Sequence, residues 1–150
     1  MRFELDWLKR WAGFSPKGVA LRCADSGRAF TYRDLFERSS VLADGLASRH
    51  GVGRGDRVAI LAVNEPETII LFFALQRIGA ILVPVNFRFT PREVAHVLKD
   101  SGARLLVWQA EFASVVDSLA DKPELLPFAR MQDLVGGAFS GARDFSAEAD

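Results

Sequence analysis

Few residues of this chain have types and spacings that could do chemistry. Gly51-Val52-Gly53-Arg54-Gly55-Asp56 has the glycine density of a phosphate-binding loop. Such a loop needs a strand before it and a helix N-terminus after it, so that free amides and the helix dipole point at the anion. Here a helical pattern precedes and a strand-like run follows, which reverses the polarity. The segment is therefore read as a turn whose glycines take positive φ. Gly136 and Gly141 have the spacing of the two glycines of a P-loop, but Ala142 and Arg143 stand where lysine and Ser/Thr belong.

His50 and His96 are far apart and neither has a metal partner at helical or loop spacing. Both are read as surface residues, His50 beside a helix-ending glycine where partial positive charge suits the dipole. Cys23, the single cysteine, ends an apolar run and is read as a packed thiol. No acid pair and no nucleophile–base set is recognisable by spacing, so no catalytic residue and no metal ligand is nominated. One candidate for ligand contact is left. Arg88 follows a strand-like run and precedes a helix start, and its planar, permanently charged fork matches phosphate oxygens. The competing reading of Arg88 is a surface ion pair or a contact pinning its loop to nearby carbonyls.

The elements that would position these residues follow from periodicity. Phe3, Trp7, Leu8 and Trp11 recur at helical spacing and suggest a short amphipathic helix. Its polar face carries both charge signs, which favours packing on the domain over membrane-surface binding. Val19 to Cys23 and Arg28 to Phe30, around Asp25-Ser26-Gly27, read as a hairpin. Thr31 with Asp34 forms a shortened capping box for a helix with Leu35, Leu42 and Leu46 on its buried stripe, closed by Gly51. Arg57 to Val63 suits a strand covered on both faces.

Asn64 is read as the cap of the next helix, with Pro66 in the first turn and Glu67 at the third position. That helix is apolar nearly all round through Ile78 and should be buried on several sides. Gly79 ends it and Ala80 to Val85 is a strand. Thr90-Pro91-Arg92-Glu93 opens a helix that Gly102 terminates, with Val94, Val97 and Leu98 inward. Arg104 to Trp108 is a further strand, and Phe112, Val115, Val116 and Leu119 mark a helix stopped by Pro123. Strands separated by single helices imply right-handed crossovers and a parallel sheet, an α/β fold. The pattern weakens beyond Pro127. Residues 1–135 are expected to form the α/β unit and 136–150, small, polar and glycine-rich, a linker or disordered tail.

Composition narrows the function. The 150 residues suit one domain or part of one, and 49% hydrophobic residues can form a packed core. Nineteen basic residues balance nineteen acidic ones, so no global field draws nucleic acid or an anionic membrane. The longest apolar segment, Ile69 to Leu75, is far short of the ~20 residues of a membrane span. No signal peptide pattern opens the chain. A cytoplasmic protein is expected.

The order of four segments carries a resemblance. Phe30-Thr31-Tyr32-Arg33-Asp34-Leu35 resembles the "TYxEL" element of the adenylate-forming superfamily, which includes acyl-CoA synthetases. Gly55-Asp56-Arg57-Val58-Ala59-Ile60 with Asn64 is similar to its "GDRVAI…N" stretch. Leu75 to Asn86 is similar to its "KxGAxxVPxN" segment, and Phe87-Arg88-Phe89-Thr90 with Glu93 and Leu98 to its "xRLTxxEL…L" continuation. Asp34 for glutamate and Gln76 for lysine are mild departures at cap or surface positions. The similarity runs from about Val19 to Trp108 in family order.

The resemblance implies the N-terminal portion of the large domain of an enzyme joining a carboxylate to ATP, releasing pyrophosphate, then passing the acyl group to coenzyme A. The "NxR" form, Asn86-Phe87-Arg88, looks more like fatty-acyl or aryl-CoA ligases than peptide-synthetase adenylation domains, with a fatty acid the first expectation. An arginine there can reach the nucleotide phosphates of coenzyme A in such enzymes. The family's phosphate loop with its lysine, its nucleotide contacts and its small C-terminal domain would follow residue 150. The chain is therefore expected to be a truncated piece, inactive and binding no cofactor alone, whose parent uses ATP, Mg2+ and coenzyme A. Its expected partners are the rest of that ligase and, through uncovered apolar surface, a second copy. A free-standing flavodoxin-like interaction or signalling domain is the alternative. Against its receiver form, Val63-Asn64 and Val85-Asn86 end their strands without acids. A dinucleotide-binding domain lacks the glycine fingerprint between strand and helix.

Overall fold

The computed structural model describes residues 6–136. Helix α1 (Trp7–Phe14) leads into a hairpin of β1 (Val19–Arg22) and β2 (Ala29–Thr31), paired antiparallel. Helix α2 (Tyr32–His50) starts on the expected capping box. Thr31 Oγ1 accepts from the Asp34 N–H, Asp34 accepts in return from the Thr31 N–H, and Gly51 closes the helix at φ 60°. β3 (Arg57–Leu61), α3 (Pro66–Ile78), β4 (Ile81–Val85), α4 (Pro91–Ser101) and β5 (Leu105–Trp108) follow in the expected alternation. Helix α5 (Ala113–Ser118) follows a short 3-10 turn.

Strand β6 (Glu124–Pro127) and helix α6 (Phe128–Gly136) then extend the unit beyond the reach of the sequence pattern. α6 ends at Gly136; the remainder of the segment read as a tail lies outside the described residues. The sheet is parallel in the order β4-β3-β5-β6. β3→β4 moves one way across it, while β4→β5 and β5→β6 move the other way.

The core has two layers. Val58, Ile60, Leu105, Val107 and Leu126 point to the face covered by α2, α3 and α6. Ala59, Leu61, Val85 and Leu106 point to the face covered by α4 and α5. Opposite directions of travel thus use opposite faces, as right-handed crossovers require. Burial on both faces explains why β3 and β5 read as continuous apolar runs rather than alternating ones. Pro84 is accommodated because β4 pairs with β3 alone and forms an edge. No described helix is long and apolar enough to cross a membrane.

Three expectations are corrected. α3 is capped at Glu65 without a side-chain hydrogen bond, and Asn64 lies before it. Although α3 is apolar nearly all round, Ile69 and Phe72 remain exposed on one side. α1 packs through Leu8 and Ala12, whereas Trp7 and Trp11, placed on the packing stripe by spacing, face outward.

Candidate functional site

The carboxyl ends of the strands are level. Leu61 is in register with both Val85 and Trp108, and Trp108 with Pro127. β3 and β5 are neighbours whose onward connections leave to opposite faces, the switch point at which open α/β sheets place ligands. Gln109 spans it: its Oε1 accepts from the Val63 N–H at 2.7 Å, and its own N–H donates to the Leu61 carbonyl at 3.1 Å. The indole Nε1–H of Trp108 is buried with no hydrogen-bond partner among the described residues. Neither Gln109 nor Trp108 carried a signal beyond its place at a strand end.

Arg88 stands at the same end, past β4. Its loop is held at several points. Asn86 Oδ1 accepts from the Arg88 N–H at 3.0 Å, and the Asn86 carbonyl accepts from the Phe89 N–H at 3.0 Å. Immediately after, Thr90 and Glu93 close a reciprocal capping box at the start of α4. Phe87 lies against Phe112 with ring centroids 6.4 Å apart. The backbone carrying Arg88 is thus fixed by a local amide–side chain turn, a β-turn and a cap. The side chain itself is exposed, with its guanidinium carbon 5.5 Å above the Phe87 ring. Among the described residues it forms no ion pair and donates to no carbonyl, unlike the arginines below. A cation presented on a rigid turn without a counter-ion is suited to an anion from outside.

Several other charged groups are committed internally. Arg104 donates to the carbonyls of His50 and Gly51, completing the C-terminus of α2, and to Asp56 at 2.9 Å. The Asp56 carboxyl is held below its usual range by the Gly53 N–H and then by Arg104. The Gly51–Asp56 segment is therefore a turn, with Gly51 and Gly55 at positive φ but Gly53 not. His50 is half-buried and meets Glu124 at 2.6 Å, so it is a link to β6 rather than a free surface residue. His96 is exposed, and Cys23 is half-buried. No cluster of His, Cys, Asp or Glu that could hold a metal occurs among the described residues. A groove of about 710 Å³ between α2, β6 and α6 lies away from Arg88.

Comparison with known proteins agrees with this architecture. The family model described as "AMP-binding enzyme" matches residues 8–138. A feruloyl-CoA synthase of an Amycolatopsis species is 43% identical over 114 residues, covering 76% of this chain and 23% of the relative. A long-chain-fatty-acid–CoA ligase of Mycobacterium tuberculosis is 32% identical over 148 residues, covering 98% of this chain and 29% of the relative. The crystal structure of the N-terminal domain of FACL13 from Mycobacterium tuberculosis superposes with a TM-score of 0.84 at 28% identity, covering 95% of this chain and 38% of that one. The chain thus spans under a third of the length of these two curated relatives. With the family model matching most of its length and the parallel sheet in place, the chain belongs to the AMP-binding enzyme family.

Proposed function

We propose that this chain is the opening α/β subdomain of an ATP-dependent carboxylate–CoA ligase. In this reading the remainder of the ligase supplies the phosphate loop, the catalytic lysine and the sites for ATP and Mg2+. The described residues offer no cluster of three or more His, Cys, Asp or Glu side chains for Mg2+. The substrate class is a carboxylic acid with an apolar body. The Asn86-Phe87-Arg88 form resembles that of fatty-acyl or aryl-CoA ligases, and the relatives include a feruloyl-CoA synthase and a long-chain-fatty-acid–CoA ligase. Aryl and fatty acids therefore both stand. Alone, the chain is a scaffold without turnover. It self-associates through the exposed Ile69–Phe72 side of α3 and the open sheet edges. A monomer by light scattering at high concentration would contradict that last point.

The observation that carries the reading is Arg88, fixed on its turn at the carboxyl end of the sheet with a guanidinium that forms no ion pair among the described residues. Its role is to receive a phosphate of coenzyme A by charge-assisted hydrogen bonds. The test uses a complete ligase in which this chain replaces the homologous N-terminal segment. Arg88→Ala should weaken coenzyme A by about 1–3 kcal/mol while leaving ATP–pyrophosphate exchange, which does not involve coenzyme A, unchanged. Loss of exchange, or an unaltered coenzyme A dependence, would make Arg88 structural.

A further inference from the structure

Two of the hydrogen bonds that hold the Arg88 loop end on one residue. Asn86 accepts from the Arg88 N–H through its side-chain Oδ1 at 3.0 Å, and from the Phe89 N–H through its backbone carbonyl at 3.0 Å. The first bond makes an Asx turn and the second closes a β-turn from Asn86 to Phe89. On the other side, the Phe87 ring lies beneath the guanidinium, its centroid 5.5 Å from the guanidinium carbon. Arg88 is thus aimed by the residue two before it, and Asn86 is itself exposed in the same turn.

The turn alone does not require an asparagine at 86. Aspartate has the same shape, accepts the same N–H bond with a full charge, and suits an Asx turn equally well. Charge is what separates the two. From Asn86 to Arg92 the sequence is Asn-Phe-Arg-Phe-Thr-Pro-Arg, with arginines and no acid. The next carboxylate along the chain, Glu93, is held by the Thr90 N–H at 2.7 Å and the Thr90 hydroxyl at 2.8 Å. The Asn86 amide therefore fixes the turn without giving the guanidinium a counter-ion.

We propose that Asn86 is the positioning residue for Arg88 and sets the preference of this site for an anionic thiol acceptor. The inference rests on the reading of Arg88 as a contact to a phosphate of coenzyme A. Through Oδ1, Asn86 orders the Arg88 backbone before the ligand arrives, so less freedom is lost on binding. Its neutral amide leaves the positive charge uncompensated until a phosphate meets it. A carboxylate in its place would pair with Arg88 and repel the phosphate. Asn86 itself takes no part in the chemistry.

The test uses the complete ligase in which this chain replaces the homologous N-terminal segment, with coenzyme A or pantetheine as acceptor. Pantetheine has the thiol but no nucleotide phosphates. Asn86→Asp should raise the KM for coenzyme A about two- to fivefold, the worth of an exposed ion pair, and less in high salt. The KM for pantetheine should not rise with it. Asn86→Ala should raise the KM for coenzyme A about two- to tenfold by freeing the Arg88 N–H, and should add nothing in an Arg88→Ala background. In the purified chain, the Arg88 amide should exchange with solvent faster in Asn86→Ala than in Asn86→Asp. Equal exchange in the two variants, equal rises for both acceptors, or an Asn86→Ala effect that persists without Arg88 would overturn the inference. So would an unchanged coenzyme A dependence in both Asn86 variants while Arg88→Ala raises it, a result that leaves the phosphate contact of Arg88 standing. An unaltered dependence in Arg88→Ala would overturn both.

Discussion

The buried carboxylate of Glu67, in the first turn of α3, accepts a hydrogen bond from the guanidinium of Arg28, just before the second hairpin strand. The two residues are 39 apart in sequence. Glu67 is 5% exposed, and the pair clips the hairpin to the helix that covers the sheet. Arg28 also lies over the Phe30 ring, so its stem and its charge both serve this junction.

Arg28→Ala should therefore destabilise the protein by about 1–3 kcal/mol, because it strands a buried carboxylate. Arg28 is partly exposed, so solvent screening keeps the effect at the lower part of the range. Glu67→Gln should be milder, since an amide can be buried without a counter-ion. Urea midpoints of the two variants test this, and equal, negligible changes would contradict it.

Acid should unfold the protein through four carboxylates. Asp34 is held below its usual range by the Thr31 N–H and hydroxyl, Glu93 by the Thr90 N–H and hydroxyl, and Asp56 by the Gly53 N–H and Arg104. Burial raises Glu67, but the Arg28 contact together with hydrogen bonds from its own backbone N–H and from Gln132 makes the net shift downward. Each folded value lies below the unfolded one, so each contributes stability above the unfolded value, near pH 4. That contribution is lost as pH falls through the folded value. The urea midpoint at about pH 3 should lie well below that at about pH 5. An equal or higher midpoint at the lower pH would contradict the assignment.

Local signals were legible in the sequence where short-range chemistry decides them. Thr31 with Asp34 and Thr90 with Glu93 are capping boxes as read, and Gly51, Gly79 and Gly102 close helices in the left-handed conformation. The parallel sheet followed from the alternation. What escaped depends on distant residues. Glu67 reads as a cap residue from spacing, and nothing local reveals Arg28. Trp7 and Trp11 announce a helix, but which stripe is buried depends on the surface that receives Leu8 and Ala12. β6 is four residues long beside two prolines and shows itself only through its register with β5. At the candidate site, Arg88 was legible from its place after a strand. Gln109 was not, because its bond to Val63 crosses between strand ends 46 residues apart.

Gly79→Val should destabilise by more than about 1 kcal/mol. Gly79 has φ 81°, where a β-branched residue is strained. A Cβ there would also meet the Arg54 side chain at 3.2 Å. The Gly79 carbonyl accepts from the Gly55 N–H at 2.9 Å, so the strain reaches the turn before β3. An unchanged urea midpoint would contradict this.

The most direct test of the account is ATP–pyrophosphate exchange and thioester formation by two proteins: the chain alone, and a chimera in which it replaces the matching segment of the Amycolatopsis feruloyl-CoA synthase. The account predicts no exchange with any carboxylic acid by the purified chain. It predicts exchange and feruloyl-CoA formation by the chimera. Robust exchange by the chain alone would contradict it. So would a chimera that unfolds as cooperatively as the natural synthase and yet makes no thioester.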